Sequence, residues 1–183
     1  MSARLILRRF SDLDLAPFVA YRNDPCVYRY QSWDGYSEHD ALDFISEQKS
    51  LEPCLPGRWF QLAIELKKNG ALIGDCAFKI EAQDPRQAEI GFTLASEHQG
   101  LGYASEAVSR LLDYLFSDAG LHRVTAITDC ENQSSVALLE RLGMRCEGHF
   151  IQNAWFKGKW GDEYLYAILE AEWLRKPFAR DKL

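Results

Sequence analysis

The sequence EIGFTLASEHQGLGYASEAVSRLLD, residues 89–113, decides the fold of this chain. Apolar residues first alternate with polar or small ones, as in a β-strand, and from Ala104 onward they recur every three or four positions, as in an amphipathic helix. Gly100 and Gly102 lie between the two patterns. A strand that passes through glycines into a helix exposes the unpaired N–H groups of the first helical turn at the positive end of the helix dipole. The stretch therefore predicts a β-loop-α unit that binds phosphate.

The spacing of the glycines excludes two common phosphate loops. The dinucleotide fingerprint requires a third glycine where Ser105 stands, and the Walker pattern requires a Lys-Ser or Lys-Thr pair after the glycines. The pattern that remains is Gln99-x-x-Gly102-x-Ala104, which by itself is equally compatible with a strand–helix turn that binds nothing. The rest of the chain has to decide between the two.

Composition and charge exclude several classes of protein. The 183 residues carry 27 acidic and 21 basic side chains, a formal net charge of −6, and the basic residues are scattered. This disfavours nucleic-acid binding and is compatible with a cationic substrate. No apolar run approaches the ~20 residues of a membrane helix, and the apolar run near the N-terminus is shorter than that of a signal peptide. We expect a cytoplasmic protein with no membrane partner.

The cysteines and histidines show no spacing typical of a disulfide framework or a metal site. The cysteines are odd in number and contain no C-x-x-C pair, and the histidines are widely separated. We therefore predict no metal. The residues concerned are Cys26, Cys54, Cys76, Cys130 and Cys146, and His39, His98, His122 and His149.

The predicted elements follow the order β-α-α-β-β-β-α-β-α-β-β. Capping signals at Ser11 and Ser37 begin the first two helices, and the turn at residues 67–70 joins two strands of a hairpin. This order predicts one domain over residues 1–183, an α/β or α+β three-layer sandwich with a mixed sheet and helices on both faces. We expect its core at about residues 4–172 and a charged, frayed tail at 173–183.

A second motif, Asn132-x-x-Ser135-x-x-x-Leu139-x-x-x-Gly143-Met144, follows the strand that begins near Arg123. Together with Gln99-x-x-Gly102-x-Ala104 it resembles the two signatures of the GNAT N-acetyltransferase superfamily, with Met144 in place of the usual aromatic residue. The two motifs occur in the family's order and on matching predicted elements.

Two further stretches resemble the RimJ/RimL branch of that superfamily, which acetylates the N-termini of proteins, classically ribosomal proteins. They are Arg-Leu-Ile-Leu-Arg at residues 4–8 and Glu147-Gly148…Lys157-Gly158-Lys159-Trp160-x-Asp162. The similarity runs from about residue 4 to residue 172.

The GNAT resemblance implies that the chain binds acetyl-CoA in a sheet that is splayed open between the strand of Glu89 and the strand of Arg123. The pantetheine arm would lie in the gap and the glycine loop would wrap the pyrophosphate, because glycine lets the backbone approach a ligand without a Cβ atom. Asn132 would bind the arm from the far side, and its alternative role is that of a helix N-cap. The cofactor-binding residues that the resemblance implies are Phe92, Thr93, Leu94, Gln99, Gly100, Leu101, Gly102, Tyr103, Ala104, Ser105 and Asn132.

Direct acetyl transfer to an amine needs a proton acceptor, a proton donor for the leaving thiolate and no enzyme nucleophile. Many members carry a Tyr donor where this chain has Leu139, so we expect Ser135, one helical turn earlier, to be the donor, with helix capping as its alternative role. Glu89 matches a strand carboxylate that is the base in some members. Its alternatives are a solvent-facing residue or a partner for Arg86. A backbone N–H near residues 92–94 would hold the oxyanion.

The acceptor amine is predicted from proton chemistry and from the aromatic tract at residues 28–36. Trp33 and Tyr36 are expected to line the amine site, although aromatic residues at this spacing are also typical of a core. An α-amine titrates near ~7.7–8 and a lysine near ~10.4, so a site with a single candidate base favours the N-terminal α-amine of a protein or peptide. The alternatives are a small amine, such as an aminoglycoside, polyamine or amino acid, and a non-catalytic acyl-CoA-binding module. We expect a monomer or a homodimer.

Overall fold

Seven strands form one mixed sheet in the middle of the fold. The structure is a computed structural model that describes residues 3–175. Its strands are β1 (Leu5–Arg8), β2 (Trp59–Leu66), β3 (Leu72–Ile80), β4 (Gln87–Leu94), β5 (Arg123–Asp129), β6 (Arg145–Phe156) and β7 (Lys159–Leu169). They are arranged in the order β1-β2-β3-β4-β5-β7-β6, and only the β4–β5 pair is parallel.

Helices cover both faces of this sheet, which confirms the three-layer sandwich. They are α1 (Leu15–Arg22), α2 (Pro25–Tyr28), α3 (Glu38–Ser50), α4 (Tyr103–Asp113), α5 (Gln133–Arg141) and α6 (Glu170–Leu174). One buried cluster contains residues of α1 and α3, and the other contains residues of α4 and α5. Adjacent strand residues such as Ala63 and Ile64 belong to opposite clusters, as strand alternation requires. Within residues 3–175 no helix has the length and apolarity needed to cross a bilayer.

The capping signals place the first helices, with one difference. The Ser37 hydroxyl accepts a hydrogen bond from the Asp40 N–H at 3.1 Å, so α3 begins where the sequence predicts. The capping box at Ser11 instead begins a 3₁₀ turn over Asp12–Asp14, and α1 follows from Leu15.

The predicted boundary of the tail at residue 173 is wrong. Trp173 lies in α6, is 6% exposed and donates its indole N–H to Asp113 at 2.9 Å. Burial of a large aromatic ring with a satisfied N–H stabilises this end of the fold, which is why the chain stays ordered through α6. Residues 176–183 of the predicted tail lie outside the described residues.

The sheet opens between β4 and β5. The two strands pair only at Gln87↔Arg123, Ala88↔Val124 and Glu89↔Thr125, whereas β3 stays paired with β4 as far as Leu94. Beyond Glu89, the main-chain groups of β4 that point toward β5 therefore lose their ladder partners. The predicted central splay is confirmed, and it leaves backbone donors and acceptors facing a gap.

Gly74 lets β3 pass close to the end of β4. A Cβ atom at this position would lie 2.2 Å from the carbonyl oxygen of Thr93 and 2.9 Å from the Cα of Leu94. Both contacts are with backbone, which cannot rotate away as a side chain can. Gly74 therefore determines where Thr93 and Leu94 lie at the mouth of the splay.

We expect Gly74→Ala to lower the free energy of unfolding by about 1–3 kcal/mol or more, because the added methyl overlaps backbone atoms. Urea denaturation followed by circular dichroism measures this change. Gly91→Ala on β4 is the matched control, since nothing lies within 4 Å of the Cβ that it adds, and we expect its effect to stay within about 0.5 kcal/mol. An equal loss in both variants would contradict the steric explanation.

Candidate functional site

Two cavities open at the splay, and they share one wall. The large cavity, about 790 Å³, is bounded by the glycine loop, the end of β4 and the N-terminal half of α5. The small cavity, about 380 Å³, is bounded by β4, β5 and the β6–β7 hairpin. The residues that line both are Tyr30, Gln31, Phe92, Asn132 and Ser135.

The two cavities carry opposite charge. The large cavity is lined by Arg29 and Arg141, and no Asp or Glu of the described chain lines it. The small cavity is lined by Asp129, Asp162 and Glu163, and its lining includes no described Lys, Arg or His. An anion is therefore favoured on one side of the shared wall and a cation on the other.

The glycine loop has the backbone conformation that an anion site needs. Gly100 and Gly102 adopt φ values of +74° and +80°, a region that favours glycine. Nothing lies within 4 Å of a Cβ built on Gly100, so this backbone is open to a ligand. The first-turn N–H groups of α4 have no partner within the helix and lie at its positive end. The loop and the two arginines fit the phosphates of coenzyme A.

Arg4 holds this loop from behind. Its guanidinium donates to the carbonyl of Leu101 at 3.0 Å and to the carboxylate of Glu106 at 2.7 Å, and it lies 4.4 Å from the ring centroid of Tyr103. The Arg4 N–H donates to the same carboxylate at 2.8 Å. Glu106 is 1% exposed, so its charge stabilises the N-terminus of α4 from inside the protein rather than from the ligand side.

Most of the cofactor-binding residues predicted from the sequence lie on the large cavity, and two do not. Leu101 is 55% exposed and turns its carbonyl to Arg4, while the ring of Tyr103 packs between Arg4 and His98. Gln99 lines the cavity but also donates to the Leu94 carbonyl at 2.9 Å, which ties the loop to β4. The predicted residues that line the large cavity are Phe92, Thr93, Leu94, Gln99, Gly100, Gly102, Ala104, Ser105 and Asn132.

The N-terminus of α5 brings Asn132 and Ser135 to the shared wall. The Asn132 side chain accepts a hydrogen bond from the Ser135 N–H at 3.2 Å, so Asn132 is the N-cap of α5. Ser135 lies in the first turn and is not the cap. Its hydroxyl has no hydrogen-bond partner among residues 3–175 and is free to bind a ligand.

Glu89 does not line either cavity. Its carboxylate accepts a hydrogen bond from the Lys79 ammonium at 2.7 Å, across the β3–β4 pair in which the two residues face each other. A carboxylate held in an ion pair outside the cavities is poorly placed to take a proton from the amine. Sequence alternation identified its face of β4 correctly, but the lysine opposite it was not considered, and the placement does not support Glu89 as the base.

Trp33 and Tyr36 also lie outside both cavity linings. They pack with the aromatic residues of α1 and α3 around Arg22, whose guanidinium lies 3.8 Å from the Trp33 ring centroid. Burial opposes the charged form of Arg22, but its ion pair with Asp75 at 2.7 Å prevails and raises the pKa of Arg22. The expectation that Trp33 and Tyr36 line the amine site is therefore wrong. The aromatic residue of this tract that lines both cavities is Tyr30.

The carboxylates of the small cavity were not singled out as ligands from the sequence. Asp129 and Glu163 face each other across the β5–β7 pair, and Asp162 precedes Glu163. Asp162 lies 3.4 Å from the imidazole of His149, and Glu163 accepts a hydrogen bond from the Asn153 amide. An available signal was that Asp129 ends the strand that follows the glycine-loop helix, at the edge where ligands of α/β sheets bind.

Comparison with known proteins gives the family of this chain. The family model described as an acetyltransferase (GNAT) domain matches residues 4–145. The chain belongs to the GNAT acetyltransferase family. It is a GNAT enzyme that transfers an acetyl group to an amine, and acetyl-CoA is the cofactor of such acetyltransferases.

Several relatives match this GNAT chain over nearly its whole length. The uncharacterized N-acetyltransferase p20 of Bacillus licheniformis is 33% identical over 171 residues, 93% of this chain and 95% of its own length. The spermidine N(1)-acetyltransferase of Vibrio cholerae is 34% identical over 176 residues, 96% of this chain and 99% of its own. The ribosomal protein uS5 alanine N-acetyltransferase of Escherichia coli is 30% identical over 84 residues, 46% of this chain and 43% of its own.

Solved structures agree with the observed fold. A GNAT-family acetyltransferase of Bacillus anthracis superposes with a TM-score of 0.84 at 31% identity, covering 94% of this chain and 98% of that one. The Vibrio cholerae spermidine N-acetyltransferase, in complex with CoA and spermine, has a TM-score of 0.80 at 25% identity and covers 93% of this chain and 98% of its own. The mixed, splayed sheet of this chain is thus the GNAT fold.

We expect Arg4→Met to weaken the binding of CoA by about tenfold or more, because hydrogen bonds to charged groups contribute about 1.5–3 kcal/mol and this one holds the glycine loop. Isothermal titration calorimetry with CoA measures the affinity at a temperature where circular dichroism shows a folded protein. Arg58→Met is the matched control, since Arg58 pairs with Glu47, is 58% exposed and lines neither cavity. Unchanged affinity in Arg4→Met would show that the loop keeps its shape without this support.

Proposed function

We propose that this GNAT enzyme acetylates a primary amine of a small cation, with acetyl-CoA in the large cavity and the amine in the small one. The observation that carries the proposal is the segregation of charge. Arginines and helix N–H groups surround the large cavity, carboxylates surround the small cavity, and the two meet at a wall that holds no charged residue. This wall is where an anionic cofactor and a cationic acceptor would bring their reacting groups together.

The cofactor is assigned to the large cavity on the chemistry of its lining. When bound, acetyl-CoA supplies an activated acetyl thioester and a thiol leaving group. Arg29, Arg141 and the first turn of α4 would hold its phosphates, and the unpaired main-chain groups of β4 from Gly91 to Leu94 would hold its amides and the developing oxyanion. Asn132 is positioned to contact the cofactor while it caps α5.

A carboxylate of the small cavity replaces Glu89 as the proposed proton acceptor. Asp129 uses Oδ1 to accept the Glu131 N–H at 2.7 Å, and no described residue forms a hydrogen bond with its Oδ2. Asp162 and Glu163 are already engaged by His149 and Asn153. Asp129 therefore has the most freedom to bind an ammonium and to accept its proton, directly or through water.

The proton donor for the leaving thiolate is proposed to be Ser135. Its hydroxyl lies in the wall shared by both cavities, and its helical neighbour Leu139 cannot donate a proton. A thiol titrates near ~8.5, so a weak donor is sufficient. Because Asn132 already caps α5, the free hydroxyl of Ser135 has no structural hydrogen bond to explain it.

The acceptor is proposed to carry more than one positive charge. Asp129 and Glu163 are directly opposed like charges on neighbouring strands, an arrangement that is destabilising unless a cation lies between them. A diamine or polyamine places one nitrogen at the shared wall and a second charge among the carboxylates. The match to the spermidine N(1)-acetyltransferase over 96% of this chain supports the same class of acceptor.

The N-terminal α-amine of a protein or peptide is the second candidate acceptor. The aromatic side chains of Tyr30, Trp155 and Phe156 line the small cavity and would suit a peptide end. The RimJ/RimL-like stretches and the partial match to the ribosomal uS5 acetyltransferase agree with it. Its α-amine needs less help with deprotonation, whereas the carboxylates favour a stronger base that arrives as an ammonium.

An acceptor screen that measures free CoA thiol tests the proposal. We expect kcat/KM for 1,4-diaminobutane to exceed that for 1-aminobutane by about tenfold or more, because hydrogen bonds to charged groups contribute about 1.5–3 kcal/mol. Peptides with a free α-amine, and peptides with a blocked α-amine and a free lysine, complete the screen. Faster turnover of the free α-amine peptides would move the assignment to the second candidate.

Asp129→Asn should remove most of the advantage of the diamine, since it removes the charge but keeps an oxygen that can accept the Glu131 N–H. Initial rates with the same diamine and monoamine measure the effect. Glu131→Gln is the matched control, because Glu131 is two residues away and lines neither cavity. If the two variants kept the same diamine preference as the unmodified enzyme, Asp129 would not bind the second charge.

Ser135→Ala should lower kcat by about 10²-fold, the lower end of the effect of a positioned acid, with little change in the affinity for CoA. Steady-state kinetics and calorimetry separate the two quantities. Ser134→Ala is the control, because Ser134 lines only the large cavity. An unchanged kcat in Ser135→Ala would remove the proposed donor.

A further inference from the structure

The wall between the two cavities contains a short segment without regular secondary structure. Arg29 lines the large cavity, Tyr30 and Gln31 line both, and Ser32 lines the small one. We call residues 29–32 the bridging segment. It connects α2 to the loop before α3, and it has no strand neighbour to fix its path. Its position must therefore come from side-chain contacts.

One end of the bridging segment is anchored to the core through Trp33. The indole N–H of Trp33 donates to the carbonyl of Arg22 at 3.1 Å, and its ring stacks on the guanidinium of the same residue. Arg22 is itself buried and paired with Asp75 on β3. This anchor fixes the segment to α1 and the sheet from beneath.

The other anchor comes from the far end of the chain. Lys157, in the turn between β6 and β7, donates its ammonium to the carbonyl of Tyr28 at 2.7 Å and pairs with Asp34 at 2.8 Å. The same ammonium lies 4.4 Å from the ring centroid of Tyr28. Tyr28 and Asp34 flank the bridging segment on its two sides, so one side chain spans it.

Lys157 also belongs to the opposite wall of the small cavity. The residues before it, Trp155 and Phe156, line that cavity from the hairpin side. Lys157 adopts φ of +49° in the turn, an uncommon conformation for a non-glycine residue, and its side chain is only 23% exposed. The contact therefore closes the small cavity between the hairpin and the bridging segment.

We infer that Lys157 is a positioning residue for acetyl transfer, which holds the bridging segment so that both substrates meet at the shared wall. This inference rests on the proposed function for its kinetic part. The hydrogen bond to the Tyr28 carbonyl and the contact with its ring carry most of the effect, because Asp34 is 76% exposed and an exposed ion pair contributes little. Loss of the Lys157 side chain lets the segment move and misaligns the amine and the thioester.

The test compares Lys157→Ala with Lys159→Ala, a matched lysine from the same hairpin. Lys159 pairs with Glu131, is 61% exposed and contacts no residue of the bridging segment. We expect Lys157→Ala to lower kcat at saturating concentrations of both substrates by about tenfold or more, because a small misplacement of reacting groups is costly. Lys159→Ala should leave kcat unchanged, Lys157→Arg should keep most of the activity, and Asp34→Asn should have a smaller effect than Lys157→Ala.

A second measurement does not depend on activity. Hydrogen exchange followed by mass spectrometry should show amides of residues 28–34 exchanging about tenfold faster in Lys157→Ala, and not in Lys159→Ala, at equal global stability. Unchanged exchange, or faster exchange with an unchanged kcat, would overturn the inference. If the unmodified enzyme acetylated no amine in the screen, the proposed function would fail, while the exchange result would still decide whether Lys157 holds the segment.

Discussion

The early end of the β4–β5 ladder is the constraint on which the rest of the structure depends. Two parallel strands in the middle of a sheet normally satisfy each other's main-chain groups along their length, and here they do so for three residue pairs only. The groups beyond Glu89 must be satisfied by something else, and the gap is wide enough for a ligand that lies like a strand. A family that binds the amide-bearing arm of coenzyme A uses this opening as its binding site.

The surroundings of the splay sort two substrates by charge. The helix dipole of α4 and two arginines make one side electropositive, while carboxylates from β5 and β7 make the other electronegative. Glu106 would weaken the positive side if it reached the ligand, but Arg4 binds it inside the protein and turns it into a support for the loop. The wall between the two sides carries only uncharged residues, so neither substrate is held back from the other.

The walls of the acceptor side come from regions that are distant in the sequence. The α2–α3 loop, the N-terminus of α5 and the β6–β7 hairpin meet around the small cavity, and Lys157 joins the hairpin to the loop across 129 positions. The core beneath is more continuous, with the Arg22–Asp75 pair held among aromatic rings. Rigid support below and a single contact above explain how a loop can form part of a site that requires accurate geometry.

The order of elements, the three layers, the glycine loop and the two family motifs could all be predicted from residue spacing, because these features depend on local periodicity and on backbone conformations that only certain residues adopt. The location of Phe92, Thr93 and Leu94 followed from strand alternation in the same way. The partners of Glu89, Trp33 and Tyr36 could not be predicted, since Lys79 and Arg22 reach them through cross-strand register and helix packing. The acidic acceptor cavity was equally hidden, because Asp129 and Glu163 lie 34 positions apart and become neighbours only when β5 pairs with β7. Local sequence determined the fold and the phosphate loop, whereas the tertiary structure decided which charged side chains are consumed by ion pairs and which remain available to a substrate.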